Sequence, residues 1–454
     1  MGVAIIVVLL VVGTVLFHIF SPWWFTPISS NWGMIDTTVD ITVWVTGFVF
    51  VAVNLFMALA IWRYRHKSGS RALYEPENRK LETWLTVVTT IGIVGMLAPG
   101  LVVWAKYINV PEDAMEVEVV GQQWQWGYRF PGKDGEFGET ALRFTSSTNP
   151  FGIDPSDANG RDDILVDSNT LHLPQDRPVK IWLRSKDVLH NFAVPQFRAK
   201  MDLVPGMVTH FWITPTRAGR FDVLCQELCG IGHFVMRGST VVEPEADFND
   251  WLAGQATFAE QHKRSVDVDA GKQSYTVCAS CHGQNGQGNR QMNAPKLAGL
   301  NSDYIERQLR YYKKGIRGAA EGDTYGQQMA AMVNTLADDQ AIRNVTAYIA
   351  TLPDQPVAHT IEGDVADGKS IYRNCSACHG RQGQGIWSTK APALAGMNDW
   401  YLATQLQNFR SGVRGSHPDD EYGQQMRAMT AYLDGEDGVR DVIAYINTLD
   451  APDR

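Results

Sequence analysis

The chain has 454 residues, of which 44% are hydrophobic, and its formal net charge is -9 at pH 7. This length leaves room for several domains, and the hydrophobic share fits a membrane-attached globular protein rather than a disordered one. The acidic balance argues against nucleic acid as a partner, because phosphate binding needs a basic surface. A basic protein partner fits the charge better.

Three apolar segments occupy the first quarter of the chain, at residues 3–20, 41–62 and 85–104. Each is close to the roughly 20 residues that cross a bilayer as a helix. We therefore predict an N-terminal apolar region at residues 1–36 and a transmembrane helical hairpin at residues 37–110. The first segment is either a third spanning helix or a signal peptide. The helix is favoured because the segment lacks a basic n-region and a small-residue cleavage site.

A short basic loop separates the second and third apolar segments and contains Arg63, Arg65, Lys67, Arg71, Arg79 and Lys80. By the positive-inside rule this loop is cytoplasmic, so the chain after about Lys106 is exported. In a bacterium the protein would be a multi-pass protein of the inner membrane with its large C-terminal region in the periplasm. That compartment permits disulfides, so each cysteine pair has to be judged by its neighbours.

The region after the third apolar segment, residues 115–242, consists of short β-branched and aromatic runs separated by Gly, Pro and Asp. This pattern predicts an all-β domain at residues 111–245, a Greek-key sandwich or barrel, which we call the β domain. A linker follows at residues 246–266. Within it, residues 247–263 have the pattern of one helix rather than a free coil.

Two of the three cysteine pairs have the pattern Cys-x-x-Cys-His, formed by Cys278, Cys281 and His282 and again by Cys375, Cys378 and His379. This pattern is that of covalent c-type haem attachment, in which both thiols bind the porphyrin and the histidine becomes an axial iron ligand. The alternative is a thioredoxin-like redox pair that happens to precede a histidine. No βαβ pattern surrounds either motif, which argues against that alternative.

Both motifs belong to an internal repeat with a constant offset of 97 residues and no gap. The sequence Tyr-Gly-Gln-Gln-Met at 325–329, for example, recurs at 422–426. Each copy opens with the haem motif, passes a Gly-rich turn and continues with helical patterns. We call residues 267–356 the first repeat and residues 357–454 the second repeat. Each resembles an all-α class I cytochrome c domain.

In such domains a methionine before the last helix usually supplies the sixth iron ligand. The spacing to Leu336 and Leu433 favours Met329 and Met426 as axial ligands, opposite His282 and His379. Two nearby methionines, Met332 and Met429, remain alternatives. As ordinary packing residues, they would lie against the haem edge.

The third cysteine pair lies in the segment LCQELCGIGHFVM, which holds Cys225, Cys229, His233 and Met236. A cupredoxin-like copper site takes one further histidine from upstream, and SKDVLHNFAVPQF provides His190. Two thiolates, two imidazoles and a thioether match the soft sulfur and nitrogen donors that copper prefers. Two cysteines can also bridge two copper ions. The alternative is a structural disulfide between the two cysteines.

These residues, together with GQQWQWGY, KMDLVPGM and the helical hairpin, resemble subunit II of cytochrome c oxidase with its dinuclear copper A centre. The resemblance implies that His190 and His233 each bind one copper and that Cys225 and Cys229 bridge the pair. It further implies a weak axial ligand in Met236 and a carbonyl ligand in Glu227. The Glu227 carboxylate is a candidate ligand of a magnesium ion at the subunit interface.

The resemblance assigns functions to two more residues, each of which also has an ordinary explanation. Trp124 matches the tryptophan through which the family passes electrons to the copper, although aromatic residues of strands also simply pack cores. Glu82 matches the glutamate at the mouth of a proton channel. An acidic residue at that position also interacts favourably with the helix dipole.

With two fused cytochrome c domains, the chain resembles the subunit II of caa-type haem-copper oxidases. The expected function is electron transfer from a donor through two c-type haems to copper A and on to the catalytic subunit, which reduces oxygen. Expected partners are catalytic subunit I and further oxidase subunits, a cytochrome c-type donor or an upstream respiratory complex, and membrane lipid.

Other functions stay open. A copper A-containing nitric oxide reductase would use a similar subunit, whereas nitrous oxide reductase needs a propeller domain for which this chain shows no pattern. A simple electron carrier is the third class. The linker pattern also predicts an order: the first repeat lies against the β domain near Trp124, and the second repeat lies further out and receives electrons first.

Overall fold

Three parts follow one another along the chain in this computed structural model: three apolar helices, a domain of two β-sheets, and two helical repeats. This order confirms the predicted fold class. The structure describes residues 2–21, 26–69, 71, 76–146, 148–166, 168–262 and 266–449. Lys263, at the end of the predicted linker helix, and residues 450–454 of the second repeat lie outside the described residues.

The N-terminal helices are α1 (Gly2–Phe20), α2 (Gly33–Arg63) and α3 (Arg79–Ile108), and all three are long and apolar enough to cross a membrane. Their large apolar side chains are mostly exposed, as expected for helices whose surroundings are lipid. The helix α1 packs against α2. The first apolar segment thus forms a helix that packs against the hairpin.

In its described residues the β domain contains ten strands in two five-stranded sheets. In chain order these are β1 (Met115–Gln122), β2 (Gln125–Phe130), β3 (Ile164–Val166), β4 (Thr170–Pro174), β5 (Val179–Ser185), β6 (His190–Val194), β7 (Ala199–Leu203), β8 (Thr209–Ile213), β9 (Gly219–Cys225) and β10 (Arg237–Glu243). The sheet orders are β3-β2-β1-β5-β8 and β4-β10-β9-β6-β7. Alternate apolar residues such as Val117, Ile181 and Val223 are fully buried in one core. This arrangement is the predicted sandwich.

The β domain is attached directly to the apolar helices by polar contacts. The indole Nε1 of Trp32 donates to the carbonyl of Trp212 at 2.9 Å, and the indole of Trp212 donates to the carbonyl of Lys106 at 3.1 Å. Arg198 forms an ion pair with Asp36 at 2.6 Å. These contacts hold the domain beside the end of α3.

The predicted single linker helix is wrong in detail, because the linker forms two short helices, α4 (Glu245–Ala253) and α5 (Phe258–His262). Gly254 ends α4, and the backbone of Thr257 then pairs with Ile164 of the β domain. Phe248 and Phe258 are buried against the β domain. Packing of these two rings keeps the linker along the domain surface and interrupts the helix between them.

As far as residue 449, each repeat contains four α-helices with the same layout. They are α6 (Val268–His282), α7 (Ser302–Lys313), α8 (Thr324–Val333) and α9 (Asp339–Ala350) in the first repeat, and α10 (Val365–His379), α11 (Asp399–Ser411), α12 (Glu421–Met429) and α13 (Gly435–Ile446) in the second. The first helix packs against the last in both. Aspartates at equivalent positions cap the N-termini of matching helices, for example Asp323 on α8 and Asp420 on α12.

The two repeats bind each other through reciprocal contacts. Arg317 donates to the hydroxyl of Tyr401 at 3.0 Å, and its counterpart Arg414 donates to the hydroxyl of Tyr304 at 3.0 Å. Arg414 and Tyr304 are the counterparts, 97 positions away, of Arg317 and Tyr401, so the two contacts are the same pair with the repeats exchanged. The repeats are therefore related by an approximate two-fold axis. The buried side chain of Lys296 adds a bond to the carbonyl of Gly396 at 2.9 Å.

Candidate functional site

The residues proposed as copper ligands meet at one end of the β domain. His190 begins β6, Cys225 ends β9, and the loop before β10 carries the others. The Sγ atoms of Cys225 and Cys229 lie 3.7 Å apart, and both thiols are free, so the disulfide alternative is wrong. Cys229 Sγ is 3.6 Å from His233 Nδ1 and 3.8 Å from Met236 Sδ.

The Cys225 side of the cluster completes this donor set. Cys225 Sγ lies 4.0 Å from His190 Nδ1 and 3.2 Å from the carbonyl oxygen of Glu227. His190, Cys225 and Cys229 are all buried and converge as one possible metal site. The donors are two sulfurs, two imidazole nitrogens, a thioether and a carbonyl, which fit copper rather than an oxygen-preferring cation such as magnesium or calcium.

Electrostatics prepare this cluster for a cation. The contact between the two sulfurs lowers the pKa of Cys225 to about 3 and raises the pKa of Cys229. One thiolate and one proton are therefore shared by the pair, and a metal ion would replace that proton. His190 donates through Nε2 to Asp187 at 2.8 Å, which leaves its Nδ1 directed at the sulfur.

Trp124 packs directly on the loop that carries these ligands. Its indole Nε1 donates to the carbonyl of Cys229 at 3.1 Å, and Gln123 donates to the same carbonyl at 2.8 Å. A Cβ on Gly232 would lie 2.3 Å from an indole carbon of Trp124, so only glycine allows this close approach. Trp124 is 5% exposed. It therefore contacts the metal loop directly and is covered in the complete chain.

The predicted axial histidines are positioned alike in the two repeats. His282 ends α6 and donates through Nδ1 to the carbonyl of Pro295 at 2.7 Å, and His379 ends α10 and donates to Pro392 at 2.8 Å. Burial lowers the pKa of both histidines, so each is a neutral imidazole at neutral pH. The Nδ1 bond fixes the tautomer that leaves Nε2 available to an iron ion.

The methionines and cysteines around these histidines fit a haem in each repeat. A single apolar cavity is lined by the haem-motif residues of both repeats and by all four candidate methionines. In the first repeat, Met329 packs against the domain core, whereas Met332 is 39% exposed. Met426 and Met429 are both half-buried. The first repeat therefore gives Met329 the more internal position, and the second repeat does not separate its two candidates.

The second repeat, rather than the first, lies against the metal end of the β domain. Gln425 donates to the carbonyl of Trp124 at 2.9 Å, and the hydroxyl of Tyr422 donates to Gln125 at 3.1 Å. Cys378 of the haem motif packs against the core of the β domain. We call these interactions, with those of Ser388, Glu421 and Tyr432, the docking contact. The apolar cavity also reaches Trp124.

The expected order of the repeats, with the first repeat beside Trp124, is therefore wrong. Tether length limits how far a domain can travel but does not select the surface on which it docks. The residues of the docking contact were missed by the sequence reasoning. A signal for them exists, because the second repeat has Glu421 and Tyr432 where the first has Thr324 and Thr335.

Two further predicted site residues lie apart from this cluster. The Glu227 side chain is half-buried next to the metal loop. Glu82 is exposed in the first turn of α3. The helix extends from there to Ile108, which is roughly 40 Å at 1.5 Å per residue. The structure therefore brings Glu227, but not Glu82, close to the metal-binding cluster.

Comparison with known families divides the chain in the same way. The family described as cytochrome C oxidase subunit II, periplasmic domain, matches residues 115–243. The cytochrome c family matches residues 268–353 and 365–450. These ranges lie within the β domain and within the two repeats.

Two curated relatives are oxidase subunits. An alternative cytochrome c oxidase subunit 2 of Bradyrhizobium diazoefficiens is 57% identical over 270 residues, which are 60% of this chain and 98% of that protein. Cytochrome c oxidase subunit 2 of Cereibacter sphaeroides is 30% identical over 224 residues, which are 46% of this chain and 74% of that protein. Among solved structures, reduced recombinant cytochrome c4 from Pseudomonas stutzeri aligns with 28% identity and a TM-score of 0.34, covering 41% of this chain and 100% of that one.

Proposed function

Since this chain belongs to the family of cytochrome c oxidase subunit 2, we propose that it accepts electrons from a donor and passes them to a haem-copper catalytic subunit. The proposed route runs from the first repeat to the second repeat and then to copper A in the β domain. Reduction of oxygen to water takes place in the catalytic subunit. A dinuclear copper and two c-type haems would supply one-electron redox chemistry at the three sites.

The observation that carries the proposal is the chain of contacts from the second repeat to the metal loop. Gln425 binds the Trp124 backbone, and the Trp124 indole binds the carbonyl of Cys229. A proposed haem-attachment cysteine, Cys378, packs on the same domain. Short, buried and packed contacts of this kind favour rapid electron transfer between two redox groups, because they replace through-space gaps by bonds and hydrogen bonds.

The residues of this chain hold the redox groups in defined positions. His190, Cys225, Cys229, His233, Met236 and the Glu227 carbonyl would hold the two coppers. The side chains of His190, Cys225, Cys229 and Met236 are buried. Cys278, Cys281, His282 and Met329 would hold one haem, and Cys375, Cys378, His379 and Met426 the other. The carbonyls of Pro295 and Pro392 orient the two histidine rings.

Two more functions from the family resemblance remain part of the proposal. The Glu227 carboxylate would bind magnesium at the contact with the catalytic subunit, since carboxylate oxygen is the ligand that magnesium prefers. Glu82 would lie at the mouth of a proton channel at the cytoplasmic end of α3. The protein would lie in a bacterial inner membrane, with the β domain and both repeats on the periplasmic side.

Purification of the native complex tests this function. We expect two covalently bound haems per chain in a haem stain after denaturing electrophoresis, a mixed-valence copper signal in electron paramagnetic resonance, and oxygen consumption with a reduced donor. Nitric oxide consumption without oxygen consumption would instead identify a nitric oxide reductase. A chain without covalent haem or without copper would contradict the proposal.

A further inference from the structure

The docking contact has an exposed counterpart on the first repeat. In the second repeat the contact is formed by Cys378, Ser388, Glu421, Tyr422, Gln425 and Tyr432. The equivalent positions of the first repeat, 97 residues earlier, are Cys281, Gln291, Thr324, Tyr325, Gln328 and Thr335. We call this second set the input face. Apart from half-buried Cys281, its side chains are exposed, and Tyr325 is 52% exposed.

The two faces are built on equivalent elements. Helix α8 of the first repeat starts at Thr324, and helix α12 of the second starts at the matching Glu421. In both repeats the haem-motif histidine binds the carbonyl of a matching proline, at 2.7 Å and 2.8 Å. The input face is therefore built on the same elements as the face by which the second repeat contacts the β domain.

The input face is continuous with the route inside the protein. Cys281, Tyr325, Gln328 and Thr335 line the same apolar cavity that reaches Trp124 through the second repeat. At the other end of this cavity Trp124 is covered by the docking contact and is 5% exposed. A donor protein cannot reach Trp124 while the second repeat is docked, whereas the input face is open to it.

The charges of the two faces differ at one position. The docking contact contains one carboxylate, Glu421, which accepts from the backbone of Asn169 in the β domain. Its counterpart on the input face is Thr324, so no member of the input face is charged. Two exposed residues of opposite charge, Arg290 and Glu321, flank it. Ion pairs within this face therefore cannot select the partner, so the basic partner that the net charge favours does not apply to this face.

We infer that the input face is the docking surface for the external electron donor, a redox protein whose own contact surface is uncharged and rich in amide and aromatic groups. The metal end of the β domain, with Gln122, Gln125, Trp124 and Phe234, shows the kind of surface that such a face already binds. The donor loses one electron, the group held by Cys278, Cys281 and His282 gains it, and no bond forms or breaks. This inference rests on the proposed function.

A pair of opposite charges at one position tests the inference. The oxidised native complex carrying Gln328→Lys or Gln328→Glu is mixed in a stopped-flow instrument with a pre-reduced soluble cytochrome c whose haem-edge surface is uncharged. Both variants should slow reduction about tenfold, because either charge is desolvated without a partner in the docked complex. The rate at which the donor reduces the unmodified complex should change less than about twofold with salt. Salt weakens association only by screening attraction between charges, and the input face has none.

Gln273 provides a matched control. It is exposed on α6, about 12 Å along the helix from Cys281, and its counterpart Ser370 is exposed in the docked second repeat. Complexes carrying Gln273→Lys or Gln273→Glu should therefore be reduced by the donor at the rate of the unmodified complex. Haem stain and circular dichroism verify that every variant is loaded and folded.

The possible outcomes separate the inference from the function on which it rests. Unmodified rates in both Gln328 variants would overturn the location of the surface. A second measurement uses a basic soluble cytochrome c as the donor. If it reduces Gln328→Glu faster and Gln328→Lys more slowly, with a steep salt dependence, the inference that the partner's contact surface is uncharged would be overturned. Failure of any donor to reduce a complex with full haem and copper content would instead overturn the proposed function.

Discussion

Raising the pH should weaken the docking contact through Glu421. This carboxylate is half-buried between the second repeat and the β domain, where it accepts from the Asn169 backbone at 2.9 Å and from the Thr170 hydroxyl at 3.3 Å. Burial raises the pKa of Glu421 from the ordinary 4.5 to about 7 in the docked protein, against the opposing effect of these two bonds. The docked state therefore binds the proton more tightly than the undocked state does.

The sign and size of the effect follow from that difference. Docking is strongest below the ordinary pKa, and it weakens as the pH rises through the docked value of about 7. Between about pH 6 and about pH 8 the docking constant should fall about tenfold, or ~1.4 kcal/mol, because only the docked state loses its proton over this range. The substitution Glu421→Gln keeps a hydrogen-bond acceptor at this position but removes the titrating group.

The assay follows the fast phase of electron transfer from the second haem to copper after flash reduction. Urea is added to bring undocking into the measurable range, and the urea midpoint is determined at several pH values. The unmodified protein should lose its fast phase at lower urea as the pH rises, whereas the midpoint of Glu421→Gln should not move. A midpoint that is independent of pH in the unmodified protein, or equal pH dependence in the variant, would refute the reasoning.

Two predictions concern the redox sites themselves. Cys229→Ser should abolish the delocalised mixed-valence copper signal, because the proposed bridging thiolate would hold both ions. Met236→Leu should keep the signal with a shifted potential, because the thioether would only adjust one ion. A seven-line hyperfine pattern in the serine variant would contradict the ligand assignment. Met329→Ala should remove the methionine-to-iron absorption band of the first haem, and Met332→Ala should retain it, since the spacing to Leu336 favours Met329, which also packs against the core of the first repeat. The opposite result would exchange the two methionines.

The candidate ligands of the sites could be predicted from the sequence because their patterns depend on short spacing. Cys225, Cys229, His233 and Met236 lie within one loop, and covalent haem attachment requires two cysteines and a histidine side by side. His190 comes from a different strand, and it was found only through the family resemblance and its own local sequence. Cys225 and Cys229 are free thiols with sulfurs 3.7 Å apart, which agrees with a metal site rather than a disulfide.

The arrangement of the domains was not accessible in the same way. Gln425 and Trp124 are 301 residues apart, and neither residue is unusual in its own segment. Docking depends on how several such polar groups fit together, and a comparison of the repeats shows only that Glu421 and Tyr432 replace Thr324 and Thr335. The same reason explains the linker, where Gly254 and the burial of Phe258 interrupt a helix that local periodicity alone predicted as continuous.

The central claim is that the second haem lies between the first haem and copper, and selective removal of each haem tests it most directly. In the full-length chain, Cys375→Ala/Cys378→Ala should remove the second haem, and Cys278→Ala/Cys281→Ala should remove the first. After flash reduction, the chain without the first haem should still transfer electrons rapidly from the second haem to copper, and the chain without the second haem should not transfer them from the first. Rapid transfer from the first haem to copper in the absence of the second would contradict the account.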